Sequence, residues 1–328
     1  MATYKGIQGF AIQNLSSDPT VFITGQVWYN STSNLFKVTT GTTQVTAAWA
    51  TGGNLNTGRQ QLAGAGTQTA GLAFGGNNPS AGTTQLNATE EYNGSSWTNG
   101  GNLTTARNYI AGGGTQTAGL AFGGSQGGSG GYLAATEEYG GTSWTNGGNL
   151  NEGRTALSGC GTQTAGLAFA GSNPSYPYSG LTEEYNGSSW TNSANMNTVR
   201  ARTGGAGIQT SALVFGGFNP NFDAVEEYNG STWTTVTALP SAKQMMGGAG
   251  ADNTSVVAFG GEPTNNEALL YNGTSWETTA SMGTARYALG GAGTSAAGLA
   301  FGGGPGTKTN TEEFTGPIVA IETITATD

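Results

Sequence analysis

Paired glutamates are the residues of this sequence whose type and spacing could carry out chemistry. The pair occurs five times, each time before an aromatic residue: Glu90-Glu91, Glu137-Glu138, Glu183-Glu184, Glu226-Glu227 and Glu312-Glu313. Two carboxylates are sufficient for glycoside hydrolysis, but that reaction needs one asymmetric constellation. Five near-identical copies therefore indicate a structural role rather than a catalytic one.

A basic residue recurs at a fixed position and supplies a counter-charge for the glutamates. The six basic residues, each ten positions after a tryptophan, are Arg59, Arg107, Arg154, Arg200, Lys243 and Arg286. An arginine–carboxylate bond within or between repeats would satisfy both charges. We therefore predict that Arg107 contacts a repeat glutamate and that the six basic residues are structural.

Histidine is absent from the sequence, and Cys160 is the one cysteine. This composition excludes sites that depend on histidine, namely the usual general base and the nucleophile–histidine systems. It also excludes most transition-metal sites and zinc sites. Calcium bound by the glutamate pairs stays open as an alternative, although no Asp-rich loop supports it. Cys160 stands where other repeats have Ala or Gly, which indicates a buried small residue. We expect no catalytic residue, no cofactor, no metal and no enzyme activity.

Six tryptophans show that the sequence is a repeat. They are Trp49, Trp97, Trp144, Trp190, Trp233 and Trp276, with spacings of 48, 47, 46, 43 and 43 residues. A period of this size indicates a repeat architecture. Each unit contains four short apolar segments separated by Gly-rich and polar turns, which is typical of a propeller blade. The tryptophan opens the last strand at a constant offset, so we predict a core position; sugar stacking is the alternative.

The repeat resembles the kelch repeat, from Trp49 to about Gly316. The shared features are a Gly pair after an apolar strand (118-AGLAFGG-124), a tyrosine before a turn, and a tryptophan six residues after the second glutamate. The resemblance implies a β-propeller like the central domain of galactose oxidase, with one four-stranded blade per repeat. The copper site of that enzyme uses histidine, so its activity does not carry over. The fifth repeat departs from the pattern, because Leu269-Leu270-Tyr271 lacks the acidic pair.

Counting strands predicts how the repeats end. First, second and third strands each occur six times, but the strand at Trp49 precedes the first blade, and no Ser-x-Trp follows Pro317. We therefore expect residues 47–51 to pair with residues 311–314, which would remove an exposed sheet edge. The predicted fold is all-β, a six-bladed kelch-like β-propeller over residues 46–316 closed by an N-terminal strand.

The two ends of the chain do not repeat. Residues 1–45 are predicted to be a leader containing a β-hairpin, since 27-VWY-29 and 35-LFKV-38 flank a polar turn. The phrase GQVWYNSTSNLFKV is similar to short N-terminal hairpins of bacteriophage tail-fibre and other virion proteins. An ordinary strand pair packed on the propeller is an equally open interpretation, compatible with the first. Residues 317–328 are predicted to be a β tail that joins a sheet of this chain or of another chain.

Recognition is predicted on the loops that join the second and third strands. Their lengths are 13, 12, 11, 8, 7 and 8 residues, whereas the segment from tryptophan to the Gly pair is almost constant. We expect binding on the face that carries loops 77–89, 125–136, 172–182 and 218–225. The candidate binding aromatics in these loops are Tyr132, Tyr176, Tyr178, Phe218 and Phe222. The alternative is that they only cover the top of the propeller.

The net charge and the composition of the chain reduce the number of function classes that fit the sequence. The net charge of −9 disfavours nucleic acid and anionic membranes as partners. The sequence has no run of 18 apolar residues and no apolar signal core. We predict a non-enzymatic virion protein of a bacteriophage, a fibre or surface-decorating module made in the host cytoplasm. Its partners would be other virion proteins, through the leader or tail, and a host glycan or protein, within an oligomeric assembly. The alternative is a soluble propeller lectin or protein-interaction module.

Overall fold

The computed structural model describes residues 13–18, 27–82, 84–127, 131–219 and 223–323. The described chain is all-β, with 28 strands in seven four-stranded sheets and one short 3-10 turn at Pro79–Ala81. It divides into two compact units: residues 48–316, and residues 1–47 together with 317–328. Six of the sheets belong to the first unit and one to the second, where the sequence predicts six blades and a leader hairpin.

The strands follow the predicted repeat. Those before the first complete repeat are β1 (Gln13–Leu15), β2 (Val27–Asn30), β3 (Leu35–Val45) and β4 (Ala48–Thr51). We number the six repeat sheets in chain order. Sheets 1 to 3 contain β5 (Ala63–Gly66), β6 (Gly71–Phe74), β7 (Thr89–Tyr92), β8 (Trp97–Asn99), β9 (Ala111–Gly114), β10 (Gly119–Phe122), β11 (Thr136–Tyr139), β12 (Trp144–Asn146), β13 (Ser158–Thr162), β14 (Ala165–Phe169), β15 (Thr182–Tyr185) and β16 (Trp190–Asn192).

Sheets 4 to 6 repeat the same order, and the last of them includes β4. Their strands are β17 (Gly204–Ile208), β18 (Ser211–Phe215), β19 (Val225–Tyr228), β20 (Trp233–Thr235), β21 (Gly247–Asp252), β22 (Ser255–Phe259), β23 (Ala268–Tyr271), β24 (Trp276–Thr278), β25 (Gly290–Gly293), β26 (Ala297–Phe301) and β27 (Thr311–Thr315). The chain ends its described part with β28 (Ile318–Thr323).

Burial explains the composition of each strand. The second strand of each sheet, such as β10, is buried on both faces, which accounts for its continuous apolar sequence. The fourth strand, such as β12, buries its tryptophan and exposes the next two residues. Each repeat sheet is therefore a meander that runs from a buried strand to an outer edge, and the architecture is propeller-like.

Repeat sheet 6 takes its fourth strand from the beginning of the unit. β4 pairs antiparallel with β27, with Trp49 opposite Phe314 and Ala48 opposite Thr315. The Trp49 ring also lies 5.3 Å from that of Phe259 in the preceding sheet. These residues are the ones for which the strand count predicts pairing.

Aromatic pairs join neighbouring repeat sheets. The centroids of Phe74, in sheet 1, and Trp144, in sheet 2, lie 5.0 Å apart, and the Trp144 indole N–H donates to the hydroxyl of Thr89 at 2.9 Å. Because both the rings and the N–H have partners in the next sheet, the tryptophan is a core residue. Trp97, Trp190 and Trp233 are buried in the same way, whereas Trp49 and Trp276 are half-buried.

Each repeat arginine is buried and bound to the first glutamate of its own sheet. Arg107 Nη2 donates to Glu137 Oε1 at 2.5 Å, and Arg107 Nη1 donates to the carbonyl oxygens of Gly123 and Ala135 at 3.1 and 2.7 Å. The contact predicted for Arg107 is therefore confirmed. The equivalent ion pairs are Arg59 with Glu90, Arg154 with Glu183, Arg200 with Glu226, and Arg286 with Glu312. In sheet 5, Lys243 instead pairs with the half-buried Glu267.

The second glutamate of each pair binds a tyrosine of the next sheet. The Tyr139 hydroxyl donates to Glu91 Oε1 at 2.5 Å, and burial, followed by this hydrogen bond, raises the pKa of Tyr139 to about 12. The same contact joins Tyr185 to Glu138, Tyr228 to Glu184, Tyr271 to Glu227 and Tyr92 to Glu313. Both glutamates of a pair are therefore used within the scaffold.

We call the contact between two neighbouring repeat sheets a seam. At the seam between sheets 5 and 6, both the acceptor and the donor of this hydrogen bond are replaced. In sheet 5 the second glutamate is replaced by Leu270, and in sheet 6 the tyrosine is replaced by Phe314. The two changes match, since an apolar side chain replaces the acceptor in one sheet and the donor in the next. This seam therefore leaves neither a carboxylate nor a hydroxyl without its repeat partner.

We expect Leu270→Glu and Phe314→Tyr each to destabilise the protein by about 1 kcal/mol, because each introduces a polar group without its partner. In the double variant the hydroxyl and the carboxylate can pair, and part of the loss is recovered. Urea unfolding of the four proteins measures this coupling. The control is the converse cycle at the first seam, Glu91→Leu with Tyr139→Phe. Strictly additive losses in both cycles would contradict the matched-pair interpretation.

The second unit is one sheet with strand order β1-β2-β3-β28. β2 and β3 form the predicted hairpin, with Val27 opposite Val38, and β28 pairs antiparallel with β3. The predicted tail thus joins a sheet of its own chain. Asp18 accepts hydrogen bonds from Lys37 at 2.7 Å and from Trp28 at 3.1 Å, and the Lys37 hydrogen bond is the main cause of the lowered pKa of Asp18.

Candidate functional site

Six residues with left-handed backbone conformation surround the entrance to the space between the first strands. We call them the mouth ring: Gln61, Tyr109, Ala156, Arg202, Met245 and Ala288, with φ between 48° and 57°. Each lies two positions after a repeat basic residue. None of the six is glycine, so every repeat has a strained residue with positive φ at this position.

Backbone hydrogen bonds connect the mouth ring. Tyr109 N donates to Gln61 O at 2.9 Å, and the same bond links each following member to the one before it. The sixth bond runs from Gln61 N to Ala288 O at 2.8 Å. These bonds hold the backbone, so the side chains of the ring are free to differ from repeat to repeat.

The first strands enclose a narrow cavity of about 150 Å³ below the mouth ring. Glycines allow this close approach: a Cβ added to Gly64 would lie 2.5 Å from the carbonyl oxygen of Gly291. The cavity is therefore lined by glycine backbone, by the mouth ring and by side chains such as Leu62 and Leu157.

A second space, which we call the side cleft, opens beside the mouth ring and has a volume of about 230 Å³. Its lining includes Tyr109, Thr155, Ser172, Pro177, Tyr178, Ala201, Arg202 and Phe218. These residues come from repeats 2, 3 and 4, so three repeats contribute to one asymmetric site.

A stack of four side chains forms the wall of the side cleft. The Arg202 guanidinium carbon lies 5.6 Å from the centroid of Phe218 and 6.0 Å from that of Tyr109. The rings of Phe218 and Tyr178 lie 5.6 Å apart. The rings of Tyr109 and Phe218 both lie within the range of cation–π attraction to the guanidinium, and this attraction does not use its N–H donors.

Arg202 is unusual among the cations of this protein. Of the nine basic residues in the described part, seven form ion pairs; Arg202 and Lys308 do not. Burial is the main cause of the raised pKa of Tyr109; Arg202 opposes that shift, and Glu262 adds to it. Glu262 itself accepts a hydrogen bond from Gln244 at 2.9 Å. The side cleft thus carries a positive charge that no described carboxylate neutralises through an ion pair.

The side cleft collects some of the predicted loop aromatics and not others. Tyr178 and Phe218 lie in its wall, and Tyr176 is 59% exposed on the same loop as Tyr178. Tyr132 lies in another loop, where its backbone bridges to Ser125. Phe222 lies outside the described residues.

Sequence reasoning missed Tyr109 and Arg202. The position two residues after the repeat basic residue reads Gln, Tyr, Ala, Arg, Met and Ala through the six repeats, whereas the basic position itself is Arg or Lys in all of them. This variation just before each first strand is the same signal that singled out the loops. Arg202 is also one of four basic residues away from the repeat position.

Among the described residues, no three His, Cys, Asp or Glu side chains are grouped as they would be around a metal ion. None of the helical structure in the described ranges has the length and apolar character needed to cross a membrane.

Comparison with known proteins gave no relatives: neither a scan against protein-family models nor a search of curated proteins found a match to this chain.

Proposed function

We propose that this chain is a non-enzymatic binding protein and that residues 48–316 form a six-bladed, kelch-like propeller. Three features support the ring. β4 completes repeat sheet 6, the first strand β25 is a neighbour of β5, and the mouth-ring bond from Gln61 to Ala288 links sheets 1 and 6. A ring of this kind covers the faces of all six sheets.

The observation that carries the binding function is the side cleft. It combines an arginine outside the ion-pair scaffold with three aromatic rings at positions where the repeats differ. The scaffold positions of the six repeats are similar because they meet the same packing requirement. The cleft positions differ from repeat to repeat, so no shared packing requirement explains their residue types. Stacking surfaces with a few placed polar groups are typical of recognition sites. The repeat glutamates contact arginine and tyrosine within the scaffold, which supports a structural role for them.

We place this binding protein on a bacteriophage virion, as a fibre or surface-decorating module. The support is the similarity of GQVWYNSTSNLFKV to hairpins near the N-terminus of virion proteins. In this arrangement the leader or the tail contacts other virion proteins, and the side cleft faces a host glycan or protein. A soluble lectin or interaction module is the alternative.

Phage particles that carry a loop replacement test both parts of the proposal. We expect particles in which residues 174–178 are replaced by a Gly-Ser linker to retain the chain, as detected by mass spectrometry, and to adsorb to host cells at least about tenfold less. The expected loss arises because the replacement removes Tyr178 and Pro177 from the cleft wall. The matched control replaces residues 78–82, in the equivalent loop of repeat 1, and should adsorb normally.

Two results would contradict the proposal. Unchanged adsorption of particles with the 174–178 replacement would remove the side cleft from recognition. Absence of the wild-type chain from purified particles, with the protein found only in the soluble lysate, would favour the soluble alternative.

A further inference from the structure

We propose that the side cleft binds a pyranose ring that carries a carboxylate, such as a uronic or sialic acid unit of a surface polysaccharide. This inference rests on the proposed binding function and names the chemical class of its ligand. Its starting point is the cluster of Tyr109, Arg202, Phe218 and Tyr178, in which a cation lies close to two aromatic rings.

The charge of the ligand follows from Arg202. Planar guanidinium groups bind carboxylates through two parallel N–H donors. Each repeat arginine uses its donors on a buried glutamate and on carbonyl oxygens, whereas no described carboxylate forms an ion pair with Arg202. The cation–π contacts of Arg202 with Tyr109 and Phe218 do not use its N–H donors. An anionic group is therefore the partner that this side chain lacks within the described protein.

The ring of the ligand follows from the aromatic wall and the cleft volume. Tyr178 and Phe218 present faces on which the apolar face of a sugar can stack. The volume of about 230 Å³ is below the range typical for drug-sized ligands and suits one ring. A flat aromatic acid would stack as well, so the polar lining must distinguish the two.

Hydroxyl groups on the cleft wall favour a sugar over an aromatic acid. Ser172 and Thr155 both line the cleft, and Thr155 Oγ1 is buried without a hydrogen-bond partner among the described residues. Rotation about χ1 of Thr155 changes where its hydroxyl points, and a rotamer that turns this hydroxyl toward the cleft would let a ligand hydroxyl satisfy it. An aromatic acid offers no hydroxyl for it.

Galacturonic acid and galactose provide a matched pair of probes, because they differ only in the carboxylate at C6. We expect titration calorimetry and saturation-transfer NMR with the full-length protein to show tighter binding of galacturonate by at least about tenfold. Arg202→Gln should abolish this preference, because it removes the charge that favours galacturonate. Gln61 already occupies the equivalent left-handed position of the mouth ring, so glutamine is compatible with the backbone there.

Three comparisons keep the result specific. Lys308→Gln removes the other described cation without an ion pair and should leave both sugars unaffected. Phe218→Ala should weaken both sugars, because it removes the stacking face but not the charge. Benzoate, an acid without hydroxyls, should bind more weakly than galacturonate; equal binding would overturn the sugar class.

Equal affinity for galacturonate and galactose, or an unchanged preference in Arg202→Gln, would overturn the acidic class. If either result accompanies the loss of adsorption in the 174–178 replacement, the binding function stands and only its ligand chemistry is wrong. If adsorption also remains normal in that variant, the binding function of the side cleft falls as well.

Discussion

Replacing Arg107 with methionine is expected to lower the free energy of unfolding by about 3–5 kcal/mol. The change removes the partner of Glu137, a carboxylate that is fully buried. It also takes the donors away from the carbonyl oxygens of Gly123 and Ala135. Thr104 N still donates to Glu137 at 2.6 Å, but one backbone N–H does not neutralise a buried charge. Urea unfolding followed by tryptophan fluorescence measures the loss.

The fifth repeat supplies a matched control for this substitution. Lys243 occupies the same repeat position, but its partner Glu267 has a side chain that is 34% exposed. Water can solvate that carboxylate when the lysine is removed, so Lys243→Met should cost about 1 kcal/mol. Adding Glu137→Gln to Arg107→Met should recover part of the large loss, since the uncompensated charge disappears. Equal losses for Arg107→Met and Lys243→Met would show that charge burial does not set the energy.

A chain that begins at residue 52 is expected to be at least about 3–5 kcal/mol less stable than one that begins at residue 47. Both truncations remove β1, β2 and β3, so the difference isolates β4. Without β4, the ring of Trp49 no longer packs against Phe314 and Phe259, whose centroids lie 5.0 and 5.3 Å from its own. β27 also loses its ladder partner and becomes an open edge.

Thermal unfolding and size-exclusion chromatography separate the two truncated chains. The chain from residue 47 should remain monodisperse and cooperative, and the chain from residue 52 should melt earlier and associate through the open edge of β27. Trp49→Ala in the full-length protein tests the packing alone and should cost about 3 kcal/mol. Equal melting temperatures for the two truncations would contradict a stabilising role for β4.

The repeat itself was readable from the sequence because each unit meets the same physical demands. A tryptophan, a basic residue, a Gly pair and a glutamate pair recur in one register, and a constant offset between large or charged residues reflects a common packing site. The pairing of the repeat arginines with carboxylates followed from charge balance in a chain with few other cations. The strand at Trp49 could be assigned to repeat sheet 6 by counting.

Which glutamate serves which partner was decided only by the tertiary structure. Successive residues of a strand point to opposite faces of the sheet. Glu137 therefore turns toward Arg107 of its own sheet, and Glu138 turns toward Tyr185 of the next one. The sequence shows both carboxylates but not the neighbouring sheet. For the same reason, the substitutions at Leu270 and Phe314 appeared unrelated until the two sheets were side by side.

The side cleft also contains residues that the sequence identified and residues that only the tertiary structure revealed. Loop variation in the sequence identified Tyr178 and Phe218, since loops of unequal length cannot all serve one packing rule. Tyr109 and Arg202 lie 93 positions apart, each two residues before a first strand, where the repeat pattern predicted only scaffold. Left-handed backbone at the mouth ring and the packing of neighbouring first strands bring them together beside Phe218. Distances between residues of different repeats are set by packing across the unit, which local sequence does not encode.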